Sequence, residues 1–430
     1  MSYQSRMSPG RVLVLGFAAV IFTGALLLML PISANPGMHV HPVDALFTST
    51  SAVCVTGLVT VDMGGTFSVF GRAVVAALIQ VGGLGFTSFG VLFILLAGKN
   101  IGLRERILVK EAMNLNSLNG IVKLVKSVLK LTLAIEGIGM LLSFLVFLKK
   151  YSPLDALGFG IFHSISAFNN AGFDVFGGFD NLLPYQSNVL LNLTTCGLII
   201  LGGLGFTVIK EVLHKRRWRT LSMNSKIVLV MTGSLLLAGT LLLKGTEEVT
   251  WLGAFFQSTA ARTAGFSTYN LGKFTNAGLF ILIILMFIGA SPGSTGGGIK
   301  TTTFFTMLKS IFSIATNRDC TAFKRRIPNE SVVRAFTLTI LALSVVCLNT
   351  LLLCVFEPQY SLVQVLFEVV SAFGTVGLST GITPHLTDIS KIILSCTMFF
   401  GRLGPLTIAC VWSYHPPSNL LYAEERITIG

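Results

Sequence analysis

The sequence predicts an all-α integral membrane protein of four tandem repeats, each with two membrane spans flanking a re-entrant pore loop. The 430-residue chain is 52% hydrophobic and only 11% charged, with a mean hydropathy of +0.78. This composition is far too apolar for an ordinary soluble domain. Four stretches also share one pattern, a short amphipathic run that breaks into an extended segment ending in glycine: 47–58, 162–173, 256–266 and 367–378. We therefore expect four loops in a pseudo-fourfold arrangement around a central pore.

Eight apolar stretches are long enough to cross a bilayer, which requires about 20 apolar residues per helix. They cover 12–32, 72–97, 122–148, 188–209, 227–243, 277–310, 332–356 and 390–411. Two fall in each repeat, and the repeats divide at 1–98, 99–220, 221–326 and 327–430. The short segments between paired spans cannot cross, so we expect them to dip into the membrane and face one another, buried in protein or lining water.

The net charge of +13 is concentrated in the connections between repeats, at 99–130, 210–226 and 309–334. By the positive-inside rule this side is cytoplasmic, which places both termini in the cytoplasm and predicts a plasma-membrane protein with no nucleic-acid partner. Acidic residues favour the other side. They either attract cations to an outer vestibule or simply reflect the depletion of external lysine and arginine. The acidic positions are Asp44, Asp62, Asp155, Asp174, Asp180, Glu247, Glu248, Glu357, Glu368 and Asp388.

The glycines that end the four loops predict a selectivity filter for a monovalent cation. Glycine reaches backbone conformations that a Cβ would block, so an extended segment ending in glycine can turn its carbonyl oxygens toward a common axis. Rings of carbonyls replace the water shell of K⁺ in membrane channels. The predicted ion-binding residues are Val55, Thr56, Gly57, Asn170, Ala171, Gly172, Thr263, Ala264, Gly265, Thr375, Val376 and Gly377. We call them the filter residues.

Clusters of small residues recur in the second spans, at 82–86, 202–206, 289–293 and 401–405. In the first two copies we expect close helix packing or bending. The third copy continues to residue 300 with almost no helix propensity, so we expect it to break the span and lie across the pore as a gate. The gate residues are Ser291, Pro292, Gly293, Ser294, Thr295, Gly296, Gly297, Gly298 and Lys300. A phosphate-binding loop over 293–301 is the alternative, but its spacing carries an extra residue and lacks a preceding strand.

Among the ionisable residues within spans or pore segments, three raise a question of function. Arg402 replaces the small residue of the fourth copy, and we expect it to hydrogen-bond carbonyls of the 290–300 loop as part of the gate. The alternative is that it snorkels to the cytoplasmic edge. Arg262 is expected to brace the loops through carbonyls or an acidic neighbour such as Glu368, whereas the sequence names no partner for Glu136.

Four features together carry a resemblance to a known family: the four span–loop–span units, the filter glycines, the 290–300 interruption and Arg402. The sequence resembles the Trk/Ktr/HKT superfamily of potassium transporters, most closely the membrane subunit of bacterial Ktr systems. The resemblance covers nearly the whole chain. It implies K⁺ uptake, a homodimer, and a cytosolic ring of nucleotide-binding regulatory subunits with RCK domains. It also implies that 293–300 is the gate and Arg402 its partner. Gly57 implies K⁺, because Na⁺-favouring plant members carry serine there.

Several questions stay open at this point. Na⁺ is a candidate second ion, and membrane lipid is an alternative partner for the basic loops around Arg104, Arg216 and Arg325. Neither an organic cofactor nor enzymatic chemistry is expected. The rival functions are a K⁺/Na⁺ symporter with alternating access and a membrane enzyme that uses the 293–301 loop. Symporters usually build their site from inverted repeats, whereas these repeats run in parallel.

Overall fold

The computed structural model describes residues 9–85, 102, 106–108, 110, 120–405, 407 and 408. The helices that position the site are, in chain order, α1 (Pro9–Leu28), α2 (Pro42–Val53), α3 (Met63–Thr66), α4 (Val69–Leu84), α5 (Ile121–Phe147), α6 (Pro153–Phe168), α7 (Val189–Leu204), α8 (Phe206–Lys215), α9 (Met223–Thr246), α10 (Trp251–Ala260), α11 (Asn276–Phe287), α12 (Thr301–Ala315), α13 (Asn329–Phe356), α14 (Leu362–Gly374) and α15 (Asp388–Leu403). The described part also holds one hairpin, β1 (Thr321–Ala322) antiparallel to β2 (Arg325–Arg326).

Each repeat contributes a first, a middle and a last helix. Among the described residues, four helices are long and apolar enough to cross a membrane, and these are the first helices α1, α5, α9 and α13. The middle helices are α2, α6, α10 and α14, and the last helices are α4, α7, α11 and α15. A middle helix of 16 residues or fewer is at most about 24 Å long, shorter than the roughly 30 Å hydrocarbon core.

The last helices are shorter than the spans expected from hydropathy. Three of them end at a glycine with nearly the same backbone, Gly85 (φ 84°), Gly205 (φ 89°) and Gly404 (φ 85°). This region of φ favours glycine, so one residue type ends the helix at the same point in three repeats. After Gly205, α8 leaves α7 at an angle of 97°. In the third repeat the break spans 288–300 before α12 begins.

These breaks correct the continuous helices expected over 72–97, 188–209 and 390–411, of which residues 86–97, 406 and 409–411 lie outside the described part. The break within 277–310 was expected from the sequence. The hydropathy of a window stays high across a single glycine, so it does not reveal the break.

Side-chain capping sets where the last helices begin. Ser68, Asn188, Thr275 and Thr387 each accept a hydrogen bond from a backbone N–H of the first turn, the usual role of these residue types. Two of the acidic residues noted in the sequence hold these caps. Glu247 Oε1 accepts from the Thr275 backbone N–H at 3.1 Å, and Glu357 Oε1 accepts from the Thr387 N–H at 2.7 Å. These carboxylates therefore have a structural role.

The first three repeats share one packing unit of glycine, serine and leucine. A glycine of the first helix leaves room for a serine of the middle helix and a leucine of the last helix, and the serine hydroxyl donates to a carbonyl of the first helix. The sets are Gly24, Ser49 and Leu78; Gly139, Ser164 and Leu198; and Gly239, Ser258 and Leu285. In the fourth repeat Val369 takes the place of the serine.

Contacts between repeats run in cyclic order. Each last helix packs against the middle helix of the following repeat, as α4 on α6, α7 on α10 and α11 on α14, and α15 returns to pack on α2. A largely buried ion pair joins the fourth repeat to the first, with Lys391 Nζ 2.8 Å from Asp44 Oδ1. The middle helices are thereby enclosed by last helices on the neighbouring side.

The packing unit predicts opposite results for two glycines of α5. A Cβ on Gly139 would lie 2.6 Å from Ser164 Oγ and 2.7 Å from Leu198 Cδ1, whereas a Cβ on Gly137 would meet nothing within 4 Å. Gly139→Ala should destabilise the fold by about 1–3 kcal/mol through overpacking. Gly137→Ala, the matched control, should be neutral or slightly stabilising because alanine favours helix. Thermal unfolding of the purified variants measures both, and equal melting temperatures would contradict the packing unit.

Candidate ion-conduction site

The filter residues repeat one unusual backbone conformation. The first residue of each triplet is not glycine yet has positive φ: Val55 57°, Asn170 59°, Thr263 68° and Thr375 50°. The third is glycine with φ of 70° to 92°. A β-branched residue at positive φ is a genuine outlier that costs about 1–3 kcal/mol. Recurrence at the same position in four separate segments indicates a function for this conformation.

The four filter glycines face one another's loops. A Cβ on Gly172 would lie 2.6 Å from Ala264 O, and one on Gly265 would lie 2.6 Å from Val376 O. Gly57 faces Ala171 O, and Gly377 faces Thr56 O, both more closely still. The order runs from each repeat to the next and returns from the fourth to the first. The structure thus brings together the four loops that the sequence pattern had singled out, with their side chains buried.

Serines of the middle helices hold the filter backbone. Ser51 Oγ accepts from the Gly57 N–H at 3.0 Å, and Ser371 Oγ accepts from the Gly377 N–H at 3.0 Å. Ser166 Oγ instead donates to Phe173 O at 2.8 Å. These serines were not among the predicted site residues, although a serine six positions before the glycine in three of the four stretches was a readable signal.

A second set of contacts anchors the segments that follow the filter. Glu368 is fully buried, and its carboxylate accepts from Ser379 Oγ at 2.7 Å, the Thr380 N–H at 2.9 Å and Thr383 Oγ1 at 2.7 Å. In the third repeat, Gln257 occupies the matching place and donates to Ser267 Oγ at 2.9 Å. Ser379 and Ser267 both lie two residues after a filter glycine.

Arg262 does not pair with Glu368. The Glu368 carboxylate is instead occupied by hydroxyl and backbone donors of its own repeat. Arg262 is 5% exposed, and its Nε and Nη2 atoms have no hydrogen-bond partner among the described residues. The expectation of an Arg262–Glu368 contact was therefore wrong.

The interruption over 288–300 is pinned to the end of α7. The Ser291 N–H donates to Gly203 O at 3.1 Å, the Thr295 N–H donates to Gly202 O at 3.3 Å, and the Phe206 N–H donates to Gly293 O at 3.1 Å. These bonds satisfy backbone groups that the break of α7 and α11 leaves open. The loop also folds on itself, since Lys300 Nζ donates to Gly296 O at 2.6 Å. We call residues 288–300 the crossing loop.

The crossing loop touches the filter directly. The Gly297 N–H donates to Thr375 Oγ1 at 3.0 Å, and a Cβ on Gly296 would overlap with Thr263 Oγ1. Thr263 and Thr375 are the first filter residues of the third and fourth repeats. Glycine is required at 296 and 297 because the loop backbone lies against filter side chains with no space for a Cβ.

Arg402 links the crossing loop to the first repeat. Its guanidinium donates to Thr295 O in the loop, to Gly82 O, and to Gly83 O at 3.5 Å. Gly82 and Gly83 lie at the C-terminal end of α4, where free carbonyls favour a cation. A cavity of about 800 Å³ next to the loop is lined by Gly85, Gly296, Arg334 and Arg402, among others.

The matches to known proteins agree with this architecture. The model of the TrkH family, described as cation transport protein, matches residues 6–252 and 214–422. The chain belongs to this family. The assignment confirms the expected Trk/Ktr resemblance and a transport protein instead of an enzyme. The family assignment and the apolar first helices both indicate an integral membrane protein.

Individual relatives cover almost the entire chain. The Ktr system potassium uptake protein B of Bacillus subtilis (strain 168) is 39% identical, over 99% of this chain and 97% of the relative. The potassium/sodium uptake protein NtpJ of Enterococcus hirae is 38% identical, over 99% of this chain and 98% of that protein. The crystal structure of the potassium transporter TrkH from Vibrio parahaemolyticus superposes with a TM-score of 0.75 at 19% identity, over 96% of this chain and 86% of that one.

The anchoring role of Glu368 is testable through stability. Glu368→Gln removes the charge and replaces one of the two accepting oxygens by an NH2 group, at Oε1, which accepts from Ser379 and Thr380, or at Oε2, which accepts from Thr383. Unfolding should therefore become easier by about 1.5–3 kcal/mol. The control is Glu248→Gln, at an exposed acid of the described part for which no partner contact is seen. Thermal melts of both variants in detergent check the prediction. A Glu368→Gln protein as stable as the Glu248→Gln control would show that the carboxylate anchors nothing.

Proposed function

We propose that the chain takes up K⁺ across the plasma membrane through a pore whose selectivity filter consists of backbone carbonyl oxygens of the filter residues. The observation that carries this proposal is the cyclic approach of Gly57, Gly172, Gly265 and Gly377, each against a carbonyl of the next repeat. Carbonyl rings of this kind substitute for the water shell of K⁺. Relatives named for potassium uptake and for potassium/sodium uptake support the choice of ion, with Na⁺ as a second candidate.

In this proposal the four repeats form a pseudo-fourfold ring of eight spans, with both termini in the cytoplasm and repeat boundaries as stated above. The cyclic packing of last helices on middle helices supports the ring. The C-terminal ends of the middle helices adjoin the filter, and their negative dipole ends favour a cation there. The membrane potential then drives uptake, at about 2.3 kcal/mol per 100 mV for each charge.

The crossing loop and Arg402 form the gate of the proposed pore. The loop contacts the first filter residues of two repeats, Thr263 and Thr375, and these contacts support its role in blocking the pathway beside the filter. Arg402 holds it to α4 by donating to carbonyls on both sides. Opening requires the loop to leave this position, which breaks the Thr295–Arg402 contact.

The proposed assembly is a homodimer docked on a cytosolic ring of nucleotide-binding subunits, in line with relatives that are named as parts of a Ktr system. A basic surface that includes Arg216, Arg217 and Arg219 supports docking of cytosolic subunits or contact with membrane lipid. Trp218, beside Arg217 and Arg219, meets Phe323 of the β1–β2 hairpin with ring centroids 6.2 Å apart. Arg104 lies outside the described residues.

The direct test is ion flux through the purified chain in liposomes, with K⁺, Rb⁺ and Na⁺ compared at a set membrane potential. We expect saturable K⁺ and Rb⁺ flux that exceeds Na⁺ flux. Equal fluxes of the three ions would refute the proposed filter.

Gly377→Ser tests the filter itself. A Cβ at this position would overlap with Thr56 O, and φ is 92°, so the ring must distort. Selectivity for K⁺ over Na⁺ should fall at least severalfold because carbonyl positions decide selectivity. Gly197→Ser, at a helical glycine where a Cβ would meet nothing within 4 Å, should behave as wild type. Unchanged selectivity in Gly377→Ser would contradict the assignment.

Deletion of residues 296–298 tests the gate. It removes the Gly297 contact to Thr375 Oγ1 and shortens the crossing loop, so K⁺ flux should rise severalfold. Liposome flux measures the change, with a melting curve to confirm folding. A folded deletion variant with equal or lower flux would refute the gate.

A further inference from the structure

A carboxylate is buried beside the filter, and the described residues give it no positively charged partner. Glu136 lies within α5 and is 8% exposed. Its Oε1 accepts from Asn169 Nδ2 at 3.0 Å, and its Oε2 accepts from Gln80 Nε2 at 3.3 Å. The ion pairs found among the described residues do not include Glu136. A buried negative charge that meets only neutral amides is costly, so something else must neutralise it.

Oxygen atoms outnumber hydrogens around this carboxylate. Asn169 Nδ2 has three oxygens at hydrogen-bond distance, Glu136 Oε1 at 3.0 Å, Gln80 Oε1 at 2.8 Å and Ile165 O at 2.9 Å, although an amide nitrogen carries only two hydrogens. Asn169 Oδ1, on a fully buried side chain, has no hydrogen-bond donor within the described part of the chain. An excess of inward-facing oxygens is the ligand set of a hard cation.

The local helix end adds to the negative potential. Asn169 is the C-cap of α6, and Ile165 O belongs to the last turn of that helix. A carboxylate at the negative end of a helix is unfavourable, whereas a cation is favoured there.

We propose that Glu136, Gln80 and Asn169 bind a monovalent alkali cation at a site separate from the filter. One carboxylate neutralises one positive charge, and a divalent ion would leave a net buried charge. Binding needs only a rotation of the Asn169 amide, which turns Oδ1 inward with Gln80 Oε1 and the carboxylate.

This site joins two repeats beside the filter. Gln80 belongs to α4 of the first repeat, whereas Glu136 belongs to the second and Asn169 directly precedes the filter residue Asn170. A bound cation therefore cross-links the first two repeats at the end of the filter next to the middle helices. It need not be transported, so the inference goes beyond the proposed uptake function.

Equilibrium binding of ²²Na⁺ and ⁸⁶Rb⁺ to the purified full chain, in detergent with choline as background cation, tests the proposal. Wild type should bind one ion per chain more than Glu136→Gln, or bind it at least tenfold more tightly, and the two isotopes identify whether the site prefers Na⁺ or a K⁺-sized ion. Glu248→Gln should match wild type. Gly377→Ser should weaken filter binding but keep the Glu136-dependent ion.

Equal stoichiometry and affinity in wild type and Glu136→Gln would overturn the proposal. The competing explanation is that a proton neutralises the carboxylate. The proposal is therefore also overturned if lowering the pH changes the thermal stability of wild type but not that of Glu136→Gln, while the number of bound ions stays the same. If Glu136→Gln does not fold, Gln80→Leu removes one oxygen and keeps the carboxylate, and unchanged binding in that variant refutes the site. The readout is binding, so a failure of flux is a separate result.

Discussion

The structure depends on the absence of side chains where the four loops meet. Each filter glycine lies against a carbonyl oxygen of the next repeat, so no repeat can carry a Cβ at this position without displacing its neighbour. The contact is cyclic, and the fourth loop closes on the first. Because the first residue of each loop is held at an unfavourable positive φ, the loops depend on the surrounding helices to keep their shape. The helical scaffold is thus required to stabilise a strained centre.

That scaffold solves the problem of polar backbone inside an apolar fold. The loops cannot form regular secondary structure, and each of their N–H and C=O groups needs a partner at membrane depth. Serines of the middle helices supply some of these partners, as Ser51 and Ser371 do for filter glycines. Carbonyls at the end of α7 supply others to the crossing loop. The middle helices approach closely enough because Gly82, Gly202 and Gly401 of the last helices let them pack against backbone.

The sequence predicted what its repetition encodes. The four glycine-ended loops recur often enough to stand out, and the structure brings them together in cyclic order. The helix break over 289–300 also followed from composition, and Arg402 does donate to Thr295 O.

Other features of the site depend on three-dimensional proximity. Gln80 and Asn169, the partners of Glu136, lie 56 and 33 residues away along the chain. Glu368 was named by its charge as one of two kinds of partner for Arg262, and this choice took no account of the hydroxyl donors near Glu368. The single-glycine breaks were missed because hydropathy averages over a window.

The four repeats are not equivalent, and their differences lie where the crossing loop makes contact. The third repeat has Ala260 where the others carry the filter-supporting serine, and its first filter residue, Thr263, lies against Gly296. The fourth contributes Thr375, which accepts directly from the loop, and Arg402, which holds the loop to α4. A displacement of the loop therefore changes the side-chain contacts of two filter segments, those of the third and fourth repeats. In the proposed pore, gate opening and filter geometry are consequently coupled through the third and fourth repeats.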